Sequence, residues 1–364
     1  MDLLEEYDTN SHKTSSSSSS SQKYTLKKLS IPEIPKSLPV PKKPPFQKPS
    51  SSVSRKGSSL SDFPSLTSQP QPKKSKDYPK ITAKSWAIFD AHSSTLLKGN
   101  SPYYKREIAS LTKIMTLYTA LTIMDRLYLD PRDLFLTITR EAEVIGGTSA
   151  ELHEGDVLSI DDLFYALMLP SGNDAAQTIG EYFGCFLWLE SINALDRFNE
   201  SSEFDLKKDF LGVRNPVRFF LAEMNENAQE FNMTQTVFNN VHGMSVKINL
   251  SSAFDMALLT CQTIKHPVLR KICKTKGFYA RVWNNFSGYR EIFWENTNKL
   301  LDQGFEGVKT GVTPNAGPCL AALYRIDKKD FRENFIVVVV LGCEGVEERF
   351  SDVKKLVDWC KGFI

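Results

Sequence analysis

Apolar and polar residues change rhythm along the chain, and the change divides it. Up to about residue 79 no period holds. Serines run unbroken from Ser15 to Ser21, followed by "IPEIPKSLPVPKKPPFQKPS" and "QPQPKKSKDYPK". Such a stretch buries too little apolar surface to offset its ordering entropy, so 1–80 is expected to be a disordered Ser/Pro/Lys-rich tail. From Ile81 the pattern becomes regular. "KSWAIFDAHSSTLLKGN" (84–100) alternates as two strands joined by a tight turn. Helical spacing holds from about Ser110 to Arg126. It returns in the segment 149–184, where Ser159 with Asp162 three residues on suits a helix N-terminus. Residues 186–216 keep no pattern and read as an insertion. "RFFLAEMNENAQEF" (218–231) and "LSSAFDMALLTCQTI" (250–264) are helical. "CLAALYRID" and "FIVVVVLGC" are strand-like, and the amphipathic "EERFSDVKKLVDWCKGF" closes the chain.

Strands at both ends with helices between them predict an α/β domain over 81–364. Its antiparallel sheet is built from both ends of the chain and flanked by helices, with an inserted helical subdomain at approximately 127–245. The longest apolar run, 335–343, is far too short to cross a bilayer as a helix, so no membrane anchor is expected. "MDLLEEYDTN" lacks the basic stretch and apolar run of a secretory signal, which favours an intracellular location.

Charge separates the same two regions. Residues 1–80 carry 14 Lys and Arg against 7 Asp and Glu, a net of +7; the remainder carries 31 against 36, a net of −5. The proline-lysine section could engage an SH3-like or acidic partner, and "RKGSS" (55–59) could offer Ser58 to a basic-directed kinase, against the plainer reading of a solubilising tail. Tail basicity is the sole hint of nucleic acid, and no such role is expected. The six cysteines are scattered without a CxxC pair and only five histidines are present, so neither a metal cluster, a cofactor nor a disulfide framework is suggested.

Three short segments carry chemistry. "REIASLTKIMT" places Ser110 and Lys113 three apart on a helix face, within reach of one another. A serine hydroxyl needs a neighbouring base, and a lysine serves if burial or other cations depress its pKa. Alone the pattern is weak, since Ser20/Lys23 and Ser351/Lys354 satisfy it too. "LPSGNDAA" adds Ser171 and Asn173, a hydroxyl to shuttle a proton and an amide to hold a carbonyl. "EGVKTGVTPNAG" adds Lys309, Thr310 and Gly311: a cation for a carboxylate, and a glycine that lets a ligand approach the backbone.

SxxK, SxN and KTG in this order resemble the serine penicillin-recognising enzymes. The flanks resemble one branch, the low-molecular-weight D-alanyl-D-alanine carboxypeptidases of peptidase family S11, over about 81–364: "REIASLTKIMT", "LPSGNDAA", "NEN", "NLSSAFDMALL", "NTNKLL" and "GVKTGVTPNAGPCLAA". The resemblance implies a DD-peptidase/β-lactamase-like fold and a peptide substrate ending in D-Ala-D-Ala, or a β-lactam. It makes Ser110 the nucleophile, Lys113 its proton acceptor and Ser171 a proton relay. Asn173 would hold the substrate amide. Lys309, Thr310 and Arg349 would engage the terminal carboxylate, with the backbone N–H groups of Ser110 and Val312 as the oxyanion hole.

Plainer roles stand beside these. Arg349 could pair with Asp352 on a helix face, His242 reads as structural, and Asp174 and Asp255 read as ligands for backbone N–H groups. Val241 stands where the branch usually has proline. Two further functions fit the same fold: a β-lactamase-like hydrolase, disfavoured because the second motif reads SGN, and a non-catalytic scaffold, disfavoured because all three motifs are intact.

Overall fold

The structure, a computed structural model, describes residues 78–193, 215–246, 248–326 and 334–362. The tail expectations for 1–77, Ser58 included, and most of the unpatterned 186–216 segment lie outside the described residues.

The described chain opens with the expected hairpin, β1 (Ser85–Asp90) and β2 (Thr95–Asn100). A short β3 (Arg106–Glu107) and a 3-10 turn (Ala109–Leu111) lead into α1 (Thr112–Leu127). The middle of the chain contributes β4 (Phe135–Thr137), α2 (Arg140–Glu143), β5 (Asp156–Ser159), α3 (Ile160–Met168), α4 (Asn173–Ser191) and α5 (Val217–Glu230). Then come β6 (Leu250–Ser251), α6 (Ala253–Thr263), α7 (Pro267–Lys274) and a second hairpin, β7 (Gly277–Asn284) and β8 (Gly288–Glu295). The chain ends in β9 (Phe305–Gly311), β10 (Cys319–Ile326), β11 (Asn334–Leu341) and α8 (Glu348–Cys360).

The main sheet runs β2-β1-β11-β10-β9, every neighbour antiparallel, so the first strands of the domain lie beside its last. Alternation sorts the side chains. Ala87, Phe89, Val337 and Val339 join the core under α1 and α6; Trp86, Ile88, Val338 and Val340 join a second core under α8. Cover on both faces explains why β11 is continuously apolar rather than alternating. Asp352 of α8 accepts from the backbone N–H groups of Thr82 and Ala83, each at 2.9 Å, and from Thr82 Oγ1 at 2.8 Å, tying chain start to chain end. Tyr78 packs edge-on against Trp86 and Trp359, so ordered packing begins three residues before Ile81.

Helix starts follow side-chain chemistry. Ser159 Oγ accepts from the Asp162 N–H at 3.1 Å at the head of α3, and Ser252 Oγ from the Asp255 N–H at 3.0 Å at the head of α6. A four-stranded antiparallel sheet, β4-β5-β7-β8, adds an element that periodicity did not reveal. Its strands β4 and β5 lie within 127–245 and pair with each other, and β5 pairs with the 277–295 hairpin across more than a hundred residues, Val157 opposite Trp283. The α4 helix continues to Ser191, so 186–191 is helical. Among the described residues no helix is long and apolar enough to cross a membrane.

Candidate active site

Three chain segments meet at the head of α1, which starts in the core of the domain. Ser110 occupies the 3-10 turn that opens the helix, and Lys113 follows one turn later with its side chain fully buried. Lys113 Nζ has three partners, each from a different element. Ser110 Oγ lies at 3.1 Å, Asn173 Oδ1 at 2.7 Å and the His242 carbonyl oxygen at 2.8 Å. Burial pushes the Lys113 amine well below its ordinary range, the Lys309 charge pushes it further, and the Asp174 carboxylate opposes both.

The loop after α5 closes over this turn. Gly243 has φ +94°, and a Cβ there would stand 2.0 Å from the Ala109 carbonyl oxygen, so only glycine fits. The preceding His242 contributes its carbonyl rather than its ring. Burial, then the Lys113 charge, holds the imidazole down to about 4, and its Nδ1 accepts from the Met244 N–H at 3.1 Å. The neutral ring therefore carries its proton on Nε2.

The second motif turns the chain from α3 into α4. Ser171 sits in the left-handed region, φ +69°, its hydroxyl buried and without a hydrogen-bond partner among the described residues. Asn173, the first residue of α4, uses its amide twice: Oδ1 accepts from Lys113, and Nδ2 donates to the Gly146 carbonyl at 2.8 Å. Asp174 accepts from Ser149 Oγ at 2.6 Å and from the N–H groups of Ala150, Leu152 and Ala175. As a ligand for backbone N–H groups it holds the 146–152 loop against the helix. Asp255 does comparable work elsewhere, accepting from Gln235 N–H and Thr236 Oγ1.

The third motif is the end of the edge strand β9. Lys309 is buried; burial, reinforced by Arg349 and opposed by the Cys273 thiol, pushes its amine down to about 7. Thr310 Oγ1 lies 2.8 Å from Thr297 Oγ1. A Cβ on Gly311 would stand 2.9 Å from the Ser110 backbone nitrogen, so the missing side chain lets the strand end lie against the turn that carries Ser110. Val312, just beyond, is half exposed. Arg349 reaches this strand rather than Asp352: its Nη1 donates to the Gly311 carbonyl at 3.1 Å, while its Nε is buried without a partner among the described residues. Asp352 Oδ2 is taken up by Thr82 and Ala83.

Eight of the nine candidate residues thus fall on the three segments that converge at Ser110, and the ninth, Arg349, reaches the third of them from α8. Sequence reasoning did not single out Thr297, which touches Thr310, or the His242 carbonyl. A backbone acceptor leaves no trace in residue type. Among the described residues no group of three His, Cys, Asp or Glu is arranged to hold a metal, and all six cysteines are free and buried.

The site has relatives. The D-alanyl-D-alanine carboxypeptidase family, peptidase S11, matches residues 72–185 and 216–344, leaving out 186–215. The chain is 27% identical to D-alanyl-D-alanine carboxypeptidase DacD of Escherichia coli over 290 residues, covering 77% of this chain and 63% of the relative. It is 26% identical to DacF of Bacillus subtilis, covering 76% and 61%. The chain thus spans somewhat over three fifths of the length of these two curated relatives. Among solved structures, the Streptomyces K15 DD-transpeptidase superposes with a TM-score of 0.64 at 25% identity, over 78% of this chain and 98% of that one. Penicillin binding protein 6B of Escherichia coli gives 0.60 at 27% identity, over 80% and 78%. The matches extend over the described domain and the three segments around Ser110: the chain belongs to the peptidase S11 family of D-alanyl-D-alanine carboxypeptidases.

Proposed function

We propose that the protein is a serine D-Ala-D-Ala carboxypeptidase that forms an acyl-enzyme on Ser110 and is acylated by β-lactams at the same oxygen. The observation that carries this reading is the environment of Lys113. As an ammonium it would donate to all three of its partners. As a neutral amine, which its burial favours, it has two N–H groups for the two carbonyl oxygens of Asn173 and His242. One lone pair is then left, and it faces the Ser110 hydroxyl. Two acceptors that cannot donate therefore orient the base.

In the proposed reaction Ser110 Oγ bonds to the carbonyl carbon of the scissile D-Ala-D-Ala amide and its proton passes to Lys113. The oxyanion is held by the backbone N–H groups of Ser110 and Val312, each such donor being worth roughly 3–4 kcal/mol in a transition state. The C–N bond breaks as the proton moves from Lys113 through the Ser171 hydroxyl to the departing D-alanine nitrogen. Asn173 holds the substrate amide; Lys309, Thr310 and Arg349 hold the terminal carboxylate. Water, losing a proton to the same relay, then cleaves the ester and restores Ser110.

The test is release of free D-alanine from a peptide ending in D-Ala-D-Ala by the wild-type protein and by Ser110→Ala. The reading requires release by the former alone. Equal release from both, or none from a folded wild type that forms no penicillin adduct, would count against it.

A further inference from the structure

Thr297 joins two of the three motifs. It lies in the turn between β8 and β9, and its backbone N–H donates at 3.2 Å to the carbonyl of Leu169, two residues before Ser171. Its hydroxyl lies 2.8 Å from Thr310 Oγ1. The turn is itself fixed. Asn296 Nδ2 donates to the carbonyls of Cys273 and Thr275, Asn296 Oδ1 accepts from the Asn298 N–H, and Asn298 Oδ1 accepts from the Leu300 N–H. Thr297 is exposed and Thr310 buried, which places Thr297 at the rim and Thr310 beneath it.

The chemistry depends on which hydroxyl donates. Each has one proton, and the two share one short contact. If Thr310 donated to Thr297, its proton would be spent and it would offer an incoming anion only lone pairs. If Thr297 donates, the Thr310 proton stays free for that anion.

We propose that Thr297 is a positioning residue for carboxylate recognition: it donates to Thr310 Oγ1, holds that hydroxyl in register with the second motif, and leaves the Thr310 proton directed at the substrate's terminal carboxylate. The inference rests on the reading of Ser110 as the nucleophile and of the Lys309-Thr310 strand end as the carboxylate site. It assigns to Thr297 a share of the discrimination between a ligand bearing a free carboxylate and one in which that group is masked.

The experiment compares second-order acylation by benzylpenicillin and by its methyl ester, read by intact mass, for wild type, Thr297→Val and Thr297→Ser. The valine variant keeps the shape and loses the donor. It should acylate roughly three- to tenfold more slowly with the free acid, the range expected for one neutral hydrogen bond, and within about twofold of wild type with the ester. The serine variant, which keeps the hydroxyl, should restore the acid rate. A merely structural role would slow both ligands equally; that result, or unchanged rates for both, overturns the proposal. A wild type that neither ligand acylates removes the nucleophile assignment, and this inference with it. Unfolding midpoints of the three proteins separate a lost donor from a lost fold.

Discussion

Asn173 Oδ1 accepts from Lys113 Nζ at 2.7 Å, the shortest of the lysine's three contacts, and so joins the first motif to the second in the interior of the domain. Replacing that neutral acceptor by a carboxylate reverses the electrostatics while changing few atoms. In Asn173→Asp the new charge stabilises the ammonium and raises the Lys113 pKa. The neutral amine that could accept the Ser110 proton becomes scarce at neutral pH. Acylation by benzylpenicillin at pH 7 should fall at least about tenfold and recover as pH rises. A rate–pH profile superimposable on that of wild type would contradict the role of Lys113 as base.

Lys309 should give the wild type its own pH dependence. In the proposed reaction Lys309 holds the carboxylate as an ammonium, and burial holds this amine to about 7 rather than its ordinary 10.5. Second-order acylation by a carboxylate-bearing ligand, which reports the free enzyme, should therefore decline as pH rises through about 7. Lys309→Arg keeps its charge throughout the range and should lose that decline. The same shift acts on stability with the opposite sense. Between about 7 and 10.5 the unfolded chain binds more protons at this site than the folded one, so its contribution to stability rises with pH across that window. Persistence of the alkaline decline in the arginine variant would locate it in another group.

Two glycines with similar backbones should respond differently to alanine. Gly146 has φ +75° with nothing within 4 Å of an added Cβ, whereas at Gly243, φ +94°, the Cβ would meet the Ala109 carbonyl oxygen at 2.0 Å. Gly146→Ala bears only the left-handed strain of about 1–2 kcal/mol. Gly243→Ala adds a clash with backbone that cannot rotate away and should cost about 3 kcal/mol or more, together with most of the acylation rate, because the displaced turn carries Ser110. Denaturant unfolding of both variants, with acylation rates beside it, checks the difference.

Much of this arrangement is legible in the chain because its causes are local. The three-residue spacing of Ser110 and Lys113 needs only a helix turn, and Ser159 caps its helix with an oxygen three residues from the N–H it accepts. The strand character of 335–341 follows from its apolar run. What escaped the pattern depends on distant partners. Strands β4 and β5 are three and four residues long, too short to show a period, and exist by pairing with each other and, through β5, with the hairpin at 277–295. Arg349 reaches Gly311, thirty-eight residues back in the chain, while Asp352 Oδ2 binds Thr82 and Ala83, at the opposite end of the domain's sequence. Thr297 has no chemistry in a local window, since its partner stands thirteen residues on, in the next strand.

Activation of Ser110 by Lys113, oriented by Asn173 and the His242 carbonyl, is the core of the proposed chemistry. It is tested most directly by intact-protein mass spectrometry after exposure to benzylpenicillin, on wild type, Ser110→Ala and Lys113→Ala. One covalent adduct per wild-type molecule, located on Ser110, is expected, and none on either folded variant. An adduct that forms at the wild-type rate in Lys113→Ala, or on Ser110→Ala, would contradict it.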